Sequence, residues 1–419
     1  MKHVPISGLR PRAVVLCAGM NGLGAVRSLG VVGVPVLAVA LSTEEPVLRS
    51  RFGEKLVIQD QAEVEERLLE ALLRAGRPSD VLLPTSDNFV SFIGRNRTQL
   101  EKKFTCCIPS ASVTRLLLDK AYESRYLRGL KIPMPKTLHA LPSDPEKIVD
   151  ALGLPVIMKP RTSHVACKLH IKTSPLYDET ALCEWLQHYS KHLPEFIGQE
   201  LIPGGDGTQW GCICVFGNQH RLVSCFTFRK IRTAPPGFGV TCFAKSEWNP
   251  DVASIAERVG AALSYVGPAD FDLKYDSRDG TYKYLETNPR LSMLNYFSTK
   301  CGVNSAYDAY RTLIGQPFDT GIGYQREGVV FLDVFEDLYS RRAGISMKSF
   351  RLPFEALPNF GLGLNKVSYG YFDLVDLVPG LWETGRDCHR VLTSMGRKLV
   401  HRFRSARSVK EGNSVHAIR

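Results

Sequence analysis

Acidic and amide side chains recur two residues apart along a predicted β-hairpin at residues 269–288 of this 419-residue sequence. Asp270 and Asp272 belong to its first strand, and Glu286 and Asn288 end its second. Because side chains alternate along a strand, Asp272, Glu286 and Asn288 can converge on one face. Carboxylate and carboxamide oxygens suit six-coordinate Mg²⁺, which proteins usually bind together with substrate phosphates. The spacing therefore favours a magnesium site, with a polar hairpin face in water as the alternative.

Cations and a further acid stand around this hairpin in an order that suits a nucleotide. Lys159 ends a short apolar strand just before a proline, which favours an extended backbone. A lysine in that place can reach phosphate oxygens, and Lys120 precedes it on a predicted helix. The apolar strand Phe196–Ile202 can offer backbone groups to an adenine edge, and Asp206 in the next turn can hold ribose hydroxyls. Arg290, just beyond the hairpin, can bind a phosphate or a carboxylate.

Taken in this order, the motifs resemble the ATP-grasp superfamily of ATP-dependent carboxylate–amine ligases. The resemblance covers most of residues 1–320, and its specificity comes from the ordered set, because each motif alone is common. The matching residues are Leu118-Asp119-Lys120, Val156-Ile157-Met158-Lys159-Pro160, Gln199-Glu200-Leu201-Ile202-Pro203-Gly204-Gly205-Asp206, and Asp272 with Leu285-Glu286-Thr287-Asn288-Pro289-Arg290.

The resemblance implies a role for each matched residue. Lys120 and Lys159 would contact the ATP phosphates, and Arg290 would steady the transferring phosphate or the acyl phosphate. Two Mg²⁺ ions are implied, bridged by Glu286, with Mn²⁺ as an alternative metal. The metal ligands would be Asp272, Glu286 and Asn288. The adenine contacts would come from Gln199, Glu200, Leu201 and Ile202, and the ribose contact from Asp206.

The segment after Lys159 departs from the family pattern. A glycine-rich loop usually covers the phosphates there, whereas residues 161–168 form a predicted polar loop that contains no glycine. Two interpretations stay open. Either side chains of Ser163, His164 or Lys168 replace the backbone amides, or the loop closes poorly and activity is weak. His164 is interpreted as an ordinary loop residue in preference to a catalyst.

Three cations lie between Asp206, the expected ribose-binding residue, and the predicted metal-binding hairpin. A Pro/Gly-rich segment follows these cations. Arg229, Lys230 and Arg232 can bind the γ-phosphate and an anionic substrate. We assign Lys230 and Arg232, together with Arg290, to catalysis, and Arg229 and Arg232 to substrate binding. A solvated strand edge is the alternative. Asp87, in the loop after a buried strand, is a further candidate for substrate binding through the amine.

Strand and helix patterns ahead of residue 115 alternate as in a parallel α/β sheet. The glycines of Gly19–Gly24 have GxxGxG spacing, which differs from the dinucleotide GxGxxG, so a sharp turn is favoured over cofactor binding. The fold class is therefore α/β, with an ATP-grasp fold preceded by a small Rossmann-like domain. The expected divisions are the Rossmann-like domain at 1–115, the ATP-grasp domain at 116–320 with a lid at about 133–203 and a metal-binding core at about 204–320, and a C-terminal segment at 321–419.

Hydrophobic periodicity predicts the other elements. The predicted helices are Glu63–Ala75, Phe89–Glu101, Val113–Leu130, Thr180–His188, Val252–Leu263 and Leu392–Phe403. The predicted strands include Asp80–Pro84, Pro155–Pro160, Ile171–Thr173, Trp210–Phe216, Leu222–Arg229 and Phe331–Tyr339. Phe350–Pro358 is expected to be irregular and Ser405–Arg419 to be a mobile basic tail.

The formal charge of +11 belongs mostly to the C-terminal end. From Arg386 onward nine basic residues stand against two acids, which leaves +7 there and +4 in the first 385 residues. Aromatic residues are not interleaved with these charges, so a nucleic-acid partner is not expected. The longest apolar stretch, Leu29–Leu41, is too short to span a bilayer and contains glycine and proline, so no membrane partner is expected.

Eleven cysteines without a CxxC pair favour reduced, buried thiols, and with no signal peptide they indicate a cytoplasmic protein. The resemblance implies an ADP-forming ligase that activates a small carboxylate, an amino acid or related acid, and joins it to an amine. It also suggests a homodimer. The rival hypotheses are an ATP-grasp kinase or carboxylase-like enzyme and a non-catalytic ATP-binding scaffold.

Overall fold

The computed structural model describes residues 10–59, 63–171, 173–316, 322–343 and 366–389. Three β-sheets, of five, four and seven strands, follow one another along the described chain. Within these ranges each helix is too short or too polar to cross a bilayer. The predicted irregular segment Phe350–Pro358, helix Leu392–Phe403 and tail Ser405–Arg419 lie outside the described residues.

The first sheet is parallel, with the strand order β3-β2-β1-β4-β5. Its three central strands are buried along their whole length, as expected for a parallel sheet covered by helices on both faces. Its strands are β1 (Ala13–Leu16), β2 (Val36–Ala40), β3 (Glu54–Val57), β4 (Asp80–Pro84) and β5 (Phe104–Cys106), with helices α1 (Gly19–Gly30), α2 (Val64–Ala75), α3 (Asp87–Arg95), α4 (Arg97–Leu100), α5 (Ala111–Leu117) and α6 (Lys120–Gly129).

The glycine turn after β1 serves close packing. A Cβ on Gly22 would lie 2.6 Å from the Cys17 side chain, so only glycine lets α1 start this close to the strand. The backbone amide of Gly19 donates to the Glu45 carboxylate at 2.8 Å, which places a side-chain anion at the helix N-terminus. Both contacts support the interpretation of GxxGxG as a structural turn.

The second sheet is antiparallel in its described pairs, with the order β6-β9-β7-β8. It comprises β6 (Thr137–Leu138), β7 (Val156–Pro160), β8 (Ser174–Leu176) and β9 (Phe196–Glu200), with helices α7 (Pro145–Leu152), α8 (Ser163–Leu169) and α9 (Glu179–His188). We call this unit the lid sheet. Trp185 and Phe196 pack edge to face within its apolar cluster.

The third sheet, which we call the core sheet, has the order β14-β13-β10-β11-β12-β15-β16. Helix α10 packs on one face against Cys212 and Cys214, whereas Phe297 of α11 packs on the other face against Phe226. Its strands are β10 (Gln209–Phe216), β11 (Leu222–Ala234), β12 (Val240–Ser246), β13 (Gly267–Asp276), β14 (Thr281–Asn288), β15 (Val330–Leu332) and β16 (Val367–Tyr369), with helices α10 (Pro250–Ala262), α11 (Asn295–Lys300), α12 (Ser305–Leu313) and α13 (Val334–Ala343). A further helix, α14, covers residues 377–389.

Several predicted elements need correction. The predicted loop at 161–168 is mostly helix α8, because the Thr162 hydroxyl caps the Val165 amide at 3.2 Å and no glycine or proline follows. The single predicted helix Val113–Leu130 is two helices, because Asp119 caps the Ala121 amide at 2.9 Å and starts α6. The predicted strand Ile171–Thr173 lies three residues later, at β8.

The predicted strand Phe331–Tyr339 is wrong beyond its first residues. Only β15 is extended, and α13 begins at Val334. Glu336 and Asp337 occupy the first turn of that helix, where the helix dipole favours negative charge. Acids that follow a short apolar run were therefore a helix-start signal.

A buried ion pair fastens the C-terminal segment 366–389 to the first sheet. Arg27 of α1 is fully buried, and its Nε lies 2.9 Å from the Asp376 carboxylate. The same guanidinium donates to the carbonyls of Tyr371 and Asp376 at 2.8 Å each. The Ser50 hydroxyl and the Arg51 amide also donate to Asp376, at 2.8 and 2.9 Å. The Asp376 carboxylate thus accepts hydrogen bonds from α1 and from the adjacent residues Ser50 and Arg51.

Replacing Asp376 by alanine should destabilise the protein by about 3–5 kcal/mol, because Arg27 would stay buried without its anion. Urea unfolding at neutral pH measures the loss. Glu65→Ala is the matched control, since it breaks the exposed Glu65–Arg95 pair and should cost less than about 1 kcal/mol. Similar losses in the two variants would show that the buried pair does not fasten the segment.

Candidate active site

A cavity of about 420 Å³ lies between the lid sheet and the core sheet. Lys120 at the start of α6 and Lys159 on β7 line it from one side. Lys230 on β11, Asp272 on β13 and Glu286 on β14 line it from the core sheet. Five residues singled out in the sequence, from five separate elements, therefore meet in one cavity.

Neighbouring strands align the acidic residues in pairs. Asp272 lies opposite Glu286, and Asp270 lies opposite Asn288, in the β13–β14 register. The four side chains therefore belong to one face, as the alternation predicts for three of them. Asp270 was not assigned to the site, although its spacing from Asp272 was the available signal. Burial, with the Asp272 charge beside it, raises the pKa of Asp270 to about 6.

A cation contacts each of the three predicted metal ligands. Lys120 Nζ lies 2.8 Å from Glu286 Oε2, and Lys230 Nζ lies 2.5 Å from Asp272 Oδ1. An Arg290 guanidinium nitrogen donates to Asn288 Oδ1 at 3.1 Å. The carboxylate and carboxamide oxygens of this set suit a hard divalent cation.

These pairs control the charge state of the cavity. The Lys120 ammonium lowers the pKa of Glu286 to about 2, against the effect of burial, and Lys159 adds to the lowering. Burial opposes the charge on Lys120 and on Lys230, but the paired carboxylates outweigh it and raise both pKa values. Glu286, Lys120 and Lys230 are therefore charged at neutral pH.

Asp119 fixes the start of α6 against the end of β7. Its carboxylate accepts from the Arg161 guanidinium at 2.6 and 3.1 Å. The amide of Lys120 donates to the Arg161 carbonyl at 2.9 Å. Since Lys159 is two residues before Arg161, these contacts set the distance between the two cavity lysines.

Gln199 orients Lys159. The Lys159 ammonium donates to Gln199 Oε1 at 2.8 Å, and Gln199 Nε2 donates to the Thr137 hydroxyl at 3.1 Å. Burial lowers the pKa of Lys159. The side chain of Gln199 therefore contacts the neighbouring lysine, where the sequence suggested an adenine contact, and Thr137 is a supporting residue that no sequence pattern indicated.

Glu200 at the end of β9 and the next two residues, Leu201 and Ile202, line the cavity, and their predicted contacts with adenine stay a prediction. The Glu200 carboxylate accepts from the Lys136 amide at 2.8 Å and pairs with Arg278 at 3.0 Å. Because Arg278 sits in the turn between β13 and β14, this ion pair joins the lid sheet to the hairpin.

Asp206 makes contacts that differ from the predicted ribose role. Its carboxylate accepts from the Thr233 amide and the Gly237 amide at 2.7 Å each, and from the Thr233 hydroxyl at 3.0 Å. It therefore holds the connection between β11 and β12. The residue lines an adjoining cavity of about 720 Å³ that shares Glu200, Leu201 and Ile202 with the first.

The three cations on β11 separate. Lys230 lies opposite Ala244, and Arg232 lies opposite Phe243, with a β-bulge between them. The extra residue shifts the alternation by one, so Arg232 faces away from Lys230. Arg232 pairs with Asp337 at 2.5 Å and covers the Phe243 ring. The assignment of Arg232 to catalysis and substrate binding is therefore corrected.

Arg229 also points away from the cavity, because it is adjacent to Lys230 on the strand and the two side chains face opposite ways. Its guanidinium lies 3.4 Å from the Glu247 carboxylate. The predicted substrate-binding role of Arg229 does not fit this place.

Helix α8 replaces the glycine-rich loop. Ser163, Ala166 and Cys167, spaced by three and four residues, line the cavity on one side of the helix. His164 is exposed, and Lys168 pairs with Glu195 at 3.1 Å away from the cavity lining. Ser163 therefore lies where its predicted ATP contact could form, whereas the helix directs Lys168 away from the cavity, which gives its predicted ATP contact no support.

Asp87 joins three parts of the fold. As the first residue of α3, it accepts from Arg290 Nε at 3.1 Å with one oxygen and from the Ser163 hydroxyl at 2.7 Å with the other. Arg290 follows the core hairpin, and Ser163 starts α8 of the lid unit. The carboxylate thus connects the first sheet, the lid and the core sheet beside a smaller cavity of about 260 Å³, which shares Ser163 with the first cavity.

Glu123 is a buried acid beneath the cavity that sequence reasoning missed. It is 2% exposed, one turn after Lys120 on α6, and it accepts from the Thr287 amide at 3.0 Å and from the Tyr284 hydroxyl. Burial raises the pKa of Glu123 to about 8. A spacing of three residues from a lysine on a helix was its only sequence signal.

Three buried thiols lie on the opposite face of the core sheet. The sulfur atoms of Cys212, Cys214 and Cys225 are 3.3–3.8 Å apart. They pack against α10 in an apolar cluster, and burial raises the pKa values of Cys212 and Cys214 well above the usual range. Hydrogen bonds from Cys212 and Cys214 instead lower the pKa of Cys225 to about 5. The three cysteines are buried and unbridged.

The comparisons with known proteins agree with this geometry. No family model matches the chain. Over 241 residues the chain is 24% identical to the D-aspartate ligase of Enterococcus faecium. The aligned region covers 54% of this chain and 56% of that enzyme. The chain therefore spans little more than half the length of this curated relative.

Solved structures resemble the fold at low sequence identity. The biotin carboxylase domain of Hydrogenobacter thermophilus 2-oxoglutarate carboxylase, solved with MgADP, ADP and bicarbonate, aligns with a TM-score of 0.60 at 14% identity, over 76% of this chain and 73% of that one. N5-carboxyaminoimidazole ribonucleotide synthetase from Thermotoga maritima aligns with a TM-score of 0.56 at 16% identity, over 74% and 78%. The chain has the α/β ATP-grasp fold, which confirms the fold predicted from the sequence.

Glu123 should make stability depend on pH. Its folded pKa is about 8, against about 4.3 for glutamate in an unfolded chain. Between these values the folded state keeps a proton that the unfolded state releases, so the free energy of unfolding falls as pH rises, by up to about 1.4 kcal/mol per pH unit.

The variant Glu123→Gln keeps an acceptor oxygen and cannot titrate. Relative to the wild type, it should therefore gain stability as pH rises from about 5 to about 8, measured by urea unfolding at each pH. Glu257→Gln, at an exposed glutamate of α10, is the control and should leave the slope unchanged. Parallel curves for wild type and Glu123→Gln would contradict a buried, protonated Glu123.

Proposed function

We propose that the chain is an ATP-dependent, ADP-forming ligase that activates a small carboxylate as an acyl phosphate and joins it to an amine. The proposal depends on one observation, which is that lysines and acids line the same cavity. The lysines are Lys120, Lys159 and Lys230, and the acids are Asp272 and Glu286. Three cations and two acids in a cavity between two sheets suit a nucleoside triphosphate and its metal ion. The similarity to a D-aspartate ligase and the fold shared with an MgADP-bound domain support the same conclusion.

Each cavity residue has a role in this reaction. Lys120, Lys159 and Lys230 neutralise phosphate oxygens, while Glu200, Leu201 and Ile202 line the nucleotide side. Mg²⁺ would be held by Asp272, Glu286 and Asn288, and it supplies further positive charge beside the phosphates when bound. Ser163 of α8 contributes a hydroxyl where related folds use glycine amides.

The chemistry follows from the poor reactivity of a carboxylate. One carboxylate oxygen forms a bond to the γ-phosphorus, the bond to the bridging oxygen breaks, and ADP leaves. The amine nitrogen then bonds to the carbonyl carbon, phosphate departs with the carbon–oxygen electron pair, and the amine loses a proton to solvent or phosphate. The cavity lysines offset charge on the phosphoryl oxygens, and positioning supplies most of the remaining acceleration.

The acid is proposed to be an amino acid or a related small carboxylate, with D-aspartate as the first candidate because of the relative's activity. Arg290 is the cation placed to bind its carboxylate. In the described arrangement the Asp87 carboxylate is paired with Arg290. These contacts favour Asp87 as a positioning residue for Arg290 over the predicted grip on the amine.

A phosphate-release assay with a panel of amino acids tests the activity. ADP formation should require Mg²⁺, an acid and an amine together. Glu286→Gln should lower turnover at least about a hundredfold, because a carboxylate beside the transferring phosphate is lost. Glu195→Gln, at a partly exposed glutamate paired with Lys168, is the matched control and should keep wild-type turnover.

The rival activities give other results in the same assay. ADP formation that needs bicarbonate would indicate a carboxylase, and a stable phosphorylated acid without amine would indicate a kinase. Unchanged ATP turnover in Glu286→Gln would contradict the assignment of Glu286 as a Mg²⁺ ligand. ATP binding without turnover on any acid would favour a non-catalytic scaffold.

Asp87→Asn separates its two candidate roles. As a positioning residue, Asp87 affects the acid through Arg290, so the variant should raise the KM for the acid about tenfold and leave the KM for the amine unchanged. Steady-state kinetics with each substrate varied in turn measure both constants. A rise confined to the amine KM would instead support the grip on the amine.

We propose two Mg²⁺ ions with Glu286 between them, and Mn²⁺ as an effective substitute. A homodimer is proposed on the analogy of the Hydrogenobacter domain, which is a dimer. The divisions at residues 115 and 320 and a cytoplasmic location are retained as predictions.

A further inference from the structure

Three cysteine side chains converge on the face of the core sheet that packs against α10. Cys212 and Cys214 alternate on β10, so both point to this face, and Cys225 on β11 lies directly opposite Cys214. The sulfur atom of Cys212 lies 3.4 Å from that of Cys214 and 3.3 Å from that of Cys225, and the third separation is 3.8 Å. We call these three residues the thiol cluster.

The fold holds the thiol cluster together without a bond between its sulfur atoms. Each of its members is 0% exposed, and none forms a disulfide. Strand β10 lies between β11 and β13 in the sheet, and α10 covers the cluster. In the ranges that the structure describes, this is the one group of three or more histidine, cysteine or acidic side chains whose ligand atoms all lie within 4.8 Å of one another.

The spacing of the sulfur atoms is close to that around a bound metal ion. A metal–thiolate bond of about 2.3 Å places three sulfur atoms about 4 Å apart when they surround one ion. The observed separations of 3.3–3.8 Å are shorter, so small rotations of the side chains would open the cluster to an ion. Strand pairing has already fixed the backbone of all three cysteines, which makes the ligand set preorganised.

The electrostatics of the thiol cluster favour a cation. Hydrogen bonds from Cys212 and Cys214 lower the pKa of Cys225 to about 5, so Cys225 is a thiolate at neutral pH. Its surroundings are apolar, and the outside charges that act most on the cluster, from Asp270 and Glu257, are negative as well. A buried anion without an opposite charge beside it is costly, whereas a cation bound between the three sulfur atoms would compensate it.

We propose that the thiol cluster binds one Cu⁺ ion through its three sulfur atoms. Thiolate and thiol sulfur atoms are soft ligands, and they select soft ions such as Cu⁺. The sulfur atoms donate electron pairs to the ion, and no atom changes its oxidation state. The single positive charge offsets the Cys225 thiolate and leaves the cluster neutral. This site is separate from the proposed Mg²⁺ site, whose oxygen ligands suit a hard ion.

The number of available ligands selects Cu⁺ over Zn²⁺. A structural zinc site takes four ligands in a tetrahedron, whereas the thiol cluster supplies three, a number that Cu⁺ accepts. Thr227 lies opposite Cys212 on β11, but its hydroxyl donates to the Glu247 carbonyl and accepts from the Asn249 amide. A divalent ion would also need a second thiolate, which burial opposes because it raises the pKa values of Cys212 and Cys214.

Anaerobic loading of the full chain with Cu⁺, against bathocuproine disulfonate as a competing chelator, tests the proposal. Cys167, Cys183 and Cys388 are exposed and are replaced by serine in every sample, so that surface thiols do not bind the ion. Because the cluster is buried, Cu⁺ is added both to folded protein and during refolding from urea. The refolded protein should retain one Cu⁺ per chain, and X-ray absorption should show three sulfur neighbours at about 2.3 Å. The bound ion should also raise the urea midpoint of unfolding, since it binds the folded state alone.

A matched pair of variants in the same background locates the ion. Cys225→Ala removes one sulfur atom without burying a hydroxyl, and it should weaken Cu⁺ binding more than about a hundredfold, because losing even a contact to a metal ligand can cost that much. Cys242→Ala is the control, since it removes a thiol that is 0% exposed on β12 of the same sheet, outside the thiol cluster. It should keep both the affinity and the three-sulfur signal.

Circular dichroism without Cu⁺ shows whether the variants fold, and if Cys225→Ala does not, the number of sulfur neighbours in the parent protein decides. Fewer than three sulfur neighbours, or no Cu⁺ retained after refolding, would overturn the proposal. So would unchanged binding in a folded Cys225→Ala variant, or Zn²⁺ retained more tightly than Cu⁺ when both are offered.

Discussion

The pairing of the hairpin carboxylates with lysines is the interaction on which the rest of the site depends. Glu286 and Asp272 stand side by side on neighbouring strands, and two carboxylates this close together require positive charge beside them. Lys120 and Lys230 supply it from two other elements, at 2.8 and 2.5 Å. The core sheet must bring β11 near β13, and α6 must begin beside β14, for these contacts to form. The lid is placed relative to them by the Asp119–Arg161 and Glu200–Arg278 pairs.

Local patterns predicted much of the fold, because most elements have a strong hydrophobic period. Strand β4 has the predicted bounds Asp80–Pro84, and the β13–β14 alternation correctly placed Asp272, Glu286 and Asn288 on one face. The bulge on β11 could not be predicted from hydrophobic periodicity. It depends on how β12 aligns with β11, and β12 had no predicted counterpart. One inserted residue sufficed to turn Arg232 away from Lys230.

Helix α8 and Glu123 show two further limits of sequence reasoning. A loop was expected at 161–168 because the segment after the apolar strand is polar, although Thr162 as a cap and the absence of glycine favour a helix. Glu123 had no motif, and its importance comes from contacts with Tyr284 and Thr287, more than 160 residues away. Contacts of that range follow from tertiary packing, which the spacing of residues along the chain does not encode.

The electrostatic balance of the cavity also constrains how a nucleotide could enter it. Lys120 and Lys230 now neutralise Glu286 and Asp272, so moving either lysine toward a phosphate would leave a carboxylate uncompensated in a confined space. A polyphosphate alone would meet those carboxylates, and a cation alone would have to compete with the lysines. Only when negative phosphate and positive metal arrive together can the lysines exchange partners without leaving an unpaired charge. In the proposed reaction, nucleotide and metal affinities should therefore be coupled through Lys120 and Lys230, while Lys159, held by an uncharged Gln199, is free to contact phosphate without breaking an ion pair.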